Sequence, residues 1–136
     1  ENYVDRENRD RGRAGLSLAI AYFGSNGYTV NLPINDTQWY DLVIEKDGKF
    51  ETFSVNSQEA KNEVSLTSCG GTNGSKYDSV LNHPLDWLFC ADKDKNLYLI
   101  PMENLRKAGN IKAISLRKAP NSNKQGFNTY TYLVEI

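Results

Sequence analysis

The chain has 136 residues, of which 39% are hydrophobic, 24% charged and 11% aromatic, a balance that excludes intrinsic disorder and provides one domain with a substantial core. The formal net charge of -1 supplies no global attraction for nucleic acid, so any contact with DNA has to come from local basic patches or from an oligomer that groups them. Cys69 and Cys90 form neither a metal-ligand spacing nor a disulfide framework, and no signal peptide or apolar run near the roughly eighteen residues of a membrane span is visible, so a soluble cytoplasmic protein with reduced thiols is expected.

Residues 1–13 interleave Asp5, Arg6, Glu7, Arg9, Asp10, Arg11 and Arg13. Such mixing describes a solvated helical face with i,i+4 pairs. It also offers Arg9, Arg11 and Arg13 as phosphate ligands, because a guanidinium suits that task. From Gly12 onward Leu16, Ala19, Ile20 and Phe23 recur at helical spacing, and Asn26-Gly27 supplies a left-handed stop. The spacing therefore predicts a helix over 12–26. Tyr28 to Leu32 reads as a short strand, and Pro33 to Gln38 as a polar connection.

The stretch WYDLVIEKDGKFETFSVN, 39–56, organises the rest. Two alternating runs flank Asp47-Gly48, a strong signal for a two-residue hairpin turn. Pairing Lys46 with Lys49 then sets Val43 opposite Thr52 and Asp41 opposite Ser54. Since strand side chains alternate between faces, Asp41, Val43 and Glu45 share one face with Phe50, Thr52, Ser54 and Asn56. Tyr40, Leu42, Ile44, Phe53 and Val55 form the opposite, apolar face, which requires a helix or second layer against it.

Beyond the hairpin, Glu63 to Ser68 alternates as a half-buried strand, and Cys69 to Lys76 reads as a loop whose three glycines allow close backbone approach. A surface loop without a partner explains that composition; as a DNA contact it would use Asn73, Ser75 and Lys76. Asp86 to Ala91 and Asn96 to Ile100 read as strands joined by the charged turn 92–95, and Met102 to Lys107 as a short helix ending near Gly109. His83 precedes Pro84 with no ligand partner at metal spacing, and is read as a packing or loop residue. Ile111 to Leu116 and Asn128 to Ile136 are strand-like, and the polar loop between them offers Lys118, Lys124 and Gln125 to phosphates or base edges.

Taken with the preceding segment from Gly12, the Tyr40-Asp41 hairpin resembles the PD-(D/E)XK nuclease superfamily, in particular the small branch of homing endonucleases and Holliday-junction resolvases. The order of helix, short strand, Pro33-Ile34-Asn35-Asp36 loop, hairpin and later strand pair covers the chain to about residue 108. The resemblance implies an α/β fold with a mixed central sheet flanked by helices and extra C-terminal strands, in one nuclease-like domain over 1–136. It implies Mg²⁺ bound by Asp41, double-stranded DNA as partner, and a homo-oligomer. Ser54 and Asn56 stand where the family places a Glu, Asp or Gln and a Lys, so the implied catalytic set is Asp41, Ser54 and Asn56. A family acid in the first helix has no counterpart at Gly15-Leu16-Ser17, leaving Glu7 or Asp10 upstream.

The chemistry of a phosphodiester requires negatively charged oxygen ligands for the cation and a positive group to offset charge on the phosphate. Ser54 offers a neutral hydroxyl and Asn56 a neutral amide, so the expectation is a DNA-binding protein that cleaves weakly or not at all. Two alternatives stay open. Glu59-Ala60-Lys61 is a literal Glu-x-Lys that would serve with Asp41 if the hairpin slipped register, giving an active enzyme. The other is a protein-binding module on the same scaffold.

Overall fold

Asp47 and Gly48 both take positive φ, 54° and 82°, the paired left-handed conformation of a type I′ turn whose twist suits a hairpin. The computed structural model describes residues 3–35, 38–58, 61–70, 76–109, 111–120 and 127–134, with the backbone alone described at 3–13, 68–70 and 76–78. The turn joins β2 (Leu42–Lys46) to β3 (Lys49–Ser57). Lys46 lies opposite Lys49, Val43 opposite Thr52 and Leu42 opposite Phe53, the register expected from the sequence. With β1 (Thr29–Asn31), β7 (Trp87–Ala91) and β8 (Leu97–Pro101), the hairpin builds a five-stranded sheet of order β1-β2-β3-β7-β8. Only β3 and β7 pair in parallel, so the sheet is mixed and the fold is α/β.

Helix α1 (Tyr3–Ser25) covers one face. Its Ala19 and Phe23 pack on Leu42, Ile44, Phe53, Phe89, Ala91 and Leu97, so alternate strand positions feed a single cluster. Gly15 marks the closest crossing: a Cβ there would lie 2.8 Å from Ser57 Cβ. The helix starts well before residue 12, because the charged segment carries good helix formers on which one glycine imposes only a local penalty. At its other end Gly27 takes φ 81° and the Tyr28 N–H closes on the Phe23 carbonyl at 3.1 Å, as the Asn26-Gly27 signal predicted. Among the described residues no helix is long and apolar enough to cross a membrane.

The other face packs Leu88, Cys90, Tyr98 and Ile100 against Met102 and Leu105 of α2 (Met102–Lys107) and against Val64, Leu66, Ile114 and Leu116. Tyr40 belongs here and not to the helix-facing set: it precedes β2, so the strand alternation does not govern its direction. Short pairs complete this layer, β4 (Glu63–Ser65) with β9 (Ala113–Ser115) and β5 (Thr67–Gly70) with β6 (Lys76–Ser79). Cys69, Gly70 and Lys76 are thus on paired strands and not in a loop; Asn73 and Ser75 lie outside the described residues.

One C-terminal expectation holds over a shorter span and the other needs correction. Ile111 to Leu116 supplies only the short β9, which pairs with β4 and adds nothing to the main sheet. Thr129–Tyr132 is a 3₁₀ turn, and among the described residues the segment pairs with the sheet at the Tyr98–Leu133 bridge while Tyr132, Leu133 and Val134 pack on the core. The buried Thr129 hydroxyl donates to the Ser115 carbonyl at 2.7 Å and accepts the Arg117 N–H at 3.1 Å, so a side chain takes the ladder groups a strand backbone would have used.

The turn after β7 is held by one buried carboxylate. Asp92 Oδ1 accepts the N–H groups of Asp94 and Asn96, each at 2.9 Å, and Oδ2 accepts the Tyr98 hydroxyl at 3.3 Å. Burial, then the neighbouring Asp92 charge, push the Tyr98 phenol up to about 12. A phenol whose folded pKa exceeds its ordinary value of about 10 favours folding while protonated, so its contribution is complete below pH ~10 and is lost as pH rises through about 12. Chemical unfolding followed from pH 9 to 12 should show stability falling across that window by a larger amount in the parent than in Tyr98→Phe. Equal losses in both chains would remove Tyr98 as the cause.

Candidate active site at the mouth of the hairpin

Asp41 stands one residue before β2 and grips β3 twice. Its N–H donates to the Phe53 carbonyl at 2.8 Å, and its Oδ2 accepts the Val55 N–H at 2.7 Å. These bonds fall on either side of Ser54, so acid and serine meet where the turn-based count placed them. Partial burial raises the Asp41 pKa, while the bond from Val55 pulls it down; burial prevails. The residue as a whole is open to solvent and lines the cleft beside it.

Phe53 points into the helix-facing cluster, so Ser54 and, two residues on, Asn56 occupy the opposite face. Ser54 is 9% exposed and Asn56 half-buried. Beside Asp41, Leu16 of α1 joins Pro33, Asn35 and Gln38 to line a cleft of about 240 Å³. The connection holds its shape through the Gln38 amide, which donates to Asn35 Oδ1 at 2.7 Å. The cleft thus groups the Asp41 carboxylate with the Asn35 and Gln38 amides, while Ser54 and Asn56 are not part of its lining. Among the described residues no three His, Cys, Asp or Glu side chains group to hold a metal ion.

Most of the other sequence candidates have side chains that lie outside the described residues. Arg9, Arg11 and Arg13, with Glu7 and Asp10, ride on α1, but their side chains lie outside the described residues. Lys118 is exposed in the coil after β9, and Lys124 and Gln125 lie outside the described residues. Lys61 is exposed beyond the end of β3, and Glu59 is likewise outside. The hairpin sits in the register set by its turn, so the slip that would have brought Glu59 and Lys61 to Asp41 does not occur.

Two features escaped the sequence reading. Asp86 caps the other edge of β3, its Oδ2 accepting both the Thr52 N–H at 2.9 Å and the Thr52 hydroxyl at 3.2 Å. It opens onto a cleft of about 480 Å³ with Lys49, Glu51, Trp87, Glu103 and Arg106, where the Trp87 indole N–H is bonded to Glu51. Trp39, two residues before Asp41, lies on the His83 imidazole with ring centres 3.4 Å apart and planes within 14°. His83 is thus a packing residue, as expected, but its partner could not be read from spacing.

Residues 6–132 match the protein family described as PD-(D/E)XK endonuclease. No curated protein matches the chain. Among solved structures, a bacterial homing endonuclease, I-Ssp6803I, superposes with a TM-score of 0.75 at 15% identity, over 92% of this chain and 87% of that one. At that identity the likeness bears on the fold alone.

Proposed function

The chain belongs to the PD-(D/E)XK endonuclease family, and from that premise we propose that it is a single-domain, homing-endonuclease-like protein that binds double-stranded DNA and cleaves it weakly or not at all. The observation that carries this reading is the hairpin register, which sets Asp41 opposite Ser54 with Asn56 two residues on, so that the acid is accompanied by two uncharged residues. The family's cation would be a hard divalent ion such as Mg²⁺, which takes several oxygen ligands, carboxylates foremost. Asp41 offers one carboxylate with an oxygen already bonded to Val55. Ser54 adds only a nearly sealed hydroxyl, and Asn56 an amide without charge. This donor set does not fit a catalytic Mg²⁺ site.

What remains is recognition. DNA would lie across the face that carries Asp41 and Asn56, with Arg9, Arg11, Arg13, Lys76, Lys118 and Lys124 as phosphate ligands and Asn73, Ser75 and Gln125 as hydrogen-bonding partners. A nearly neutral domain needs those cations grouped, which a homo-oligomer would do. The test is affinity for a duplex with and without Mg²⁺ over a salt series. Binding should be indifferent to the metal and fall steeply with salt, with a slope that counts neutralised phosphates. Asp41→Ala should bind at least as well as the parent, since it removes a negative charge facing the phosphates. Absence of salt-sensitive affinity would overturn the reading.

A further inference from the structure

The Trp39 indole is 51% exposed although one of its faces is covered by His83. The exposed half is therefore largely the second ring face and its edge. His83 cannot retreat from beneath it: its N–H donates to Val80 O at 3.3 Å, and its carbonyl accepts Leu85 N–H at 2.8 Å and Arg106 Nη2 at 2.6 Å. Arg106 Nε also holds the Leu81 carbonyl at 3.1 Å, so one guanidinium spans the whole turn. On the other side, the chain from Trp39 reaches within two residues the Asp41 N–H bonded to Phe53. A flat aromatic surface is thus backed by an anchored turn two residues along the chain from the acid, and the same connection turns Leu32 and Ile34 to solvent at 48% and 105% exposure.

We propose that Trp39, backed by His83, is a stacking platform for a nucleobase that has left the duplex next to Asp41. The chain would accordingly prefer DNA with unpaired bases, such as a bulge or a gap, over an unbroken duplex. This rests on the DNA-binding reading above. An aromatic face accepts any base, and a platform already ordered loses little freedom on binding. Drawing a base out of a duplex costs unstacking and unpairing, a cost that is smallest where the base is already unpaired. The cost, set against the stacking gain, is what produces the preference.

The full chain is titrated against a short duplex and against the same duplex carrying a two-base bulge, at one salt concentration, following tryptophan fluorescence and anisotropy of labelled DNA. Bulged DNA should bind tighter and quench the fluorescence. Trp39→Ala should lose that preference by about tenfold or more, keep its affinity for the unbroken duplex, and melt as a folded protein. Trp39→Phe, which keeps a ring and needs no cavity, should retain most of the preference while losing most of the quenching. Equal affinity of the parent for both DNAs, or an undiminished preference in Trp39→Ala, overturns the platform and leaves DNA binding standing. Quenching that follows protein concentration without DNA also overturns it, in favour of a second copy of the chain covering Trp39. Failure of the parent to bind either DNA removes the DNA-binding reading itself and the platform with it.

Discussion

The double replacement Ser54→Gln with Asn56→Lys should nick supercoiled plasmid in the presence of Mg²⁺ on the order of a hundredfold or more faster than the parent chain. Asp41 is already fixed by two bonds to β3, so the backbone needs no rearrangement to receive the missing groups. Gln at 54 would bring a second oxygen to the cation beside Asp41. Lys at 56 would bring the positive charge that offsets charge on the phosphate. Either replacement alone leaves one requirement unmet, so each single variant should stay close to the parent. Ser54 pairs with Leu88 across the parallel seam and is 9% exposed, so the longer side chain has to extend toward the hairpin mouth. Thermal melts of the variant would show whether it does so without loss of folding. A folded double variant that leaves plasmid intact, or one whose nicking survives Asp41→Ala, would sink the idea of a dormant site.

Phe53→Ala should cost about 3–5 kcal/mol, a large part of the stability of a domain of this size. Phe53 is 2% exposed and lies between Phe23 of α1, at a ring-centre distance of 4.7 Å, and Trp87 of β7, stacked at 5.9 Å. Truncation therefore opens a cavity shared by helix, hairpin and the parallel strand, and none of the three can close it without moving the others. Phe53→Leu, which keeps much of the volume, should cost under about 1.5 kcal/mol. Denaturant unfolding of the three chains would test this, and a loss below ~1 kcal/mol in Phe53→Ala would mean that the cluster collapses around the gap. Because the Phe53 carbonyl also receives the Asp41 N–H, the same substitution should loosen the candidate site.

The central hairpin was legible because two independent local signals agreed: alternation named the faces, and Asp47-Gly48 fixed the register that puts Asp41 beside Ser54. The second helix was legible at its observed bounds, since Pro101 opens it and Gly109 follows it with φ 92°. Thr129–Tyr132 was misread because alternating Thr and Tyr carry the same pattern whether or not a neighbour offers a free ladder. Here the Thr129 hydroxyl consumed that ladder. The ends of the glycine-rich stretch, Cys69, Gly70 and Lys76, were misread for the converse reason: Cys69 finds Tyr77 across a strand pairing, while 71–75 lie outside the described residues. Trp39 on His83 and Asp86 on Thr52 join residues distant in sequence, which periodicity cannot report. Those two contacts were where sequence reading stopped short of the site's surroundings.

The parallel seam between β3 and β7 differs from the other pairings of the sheet in how much chain it must close. The pairings on either side of it, β1–β2, β2–β3 and β7–β8, join strands adjacent in the chain, whereas the seam must wait for the whole segment 58–86 to loop back. Local hairpins form quickly, and the entropy of closing that long loop sets the slow step. Asp41, Ser54 and Asn56 all belong to the hairpin half, whose pairings are local. The seam sets Leu88 beside Ser54, so solvent exclusion at that position depends on a strand brought in from a distant part of the chain.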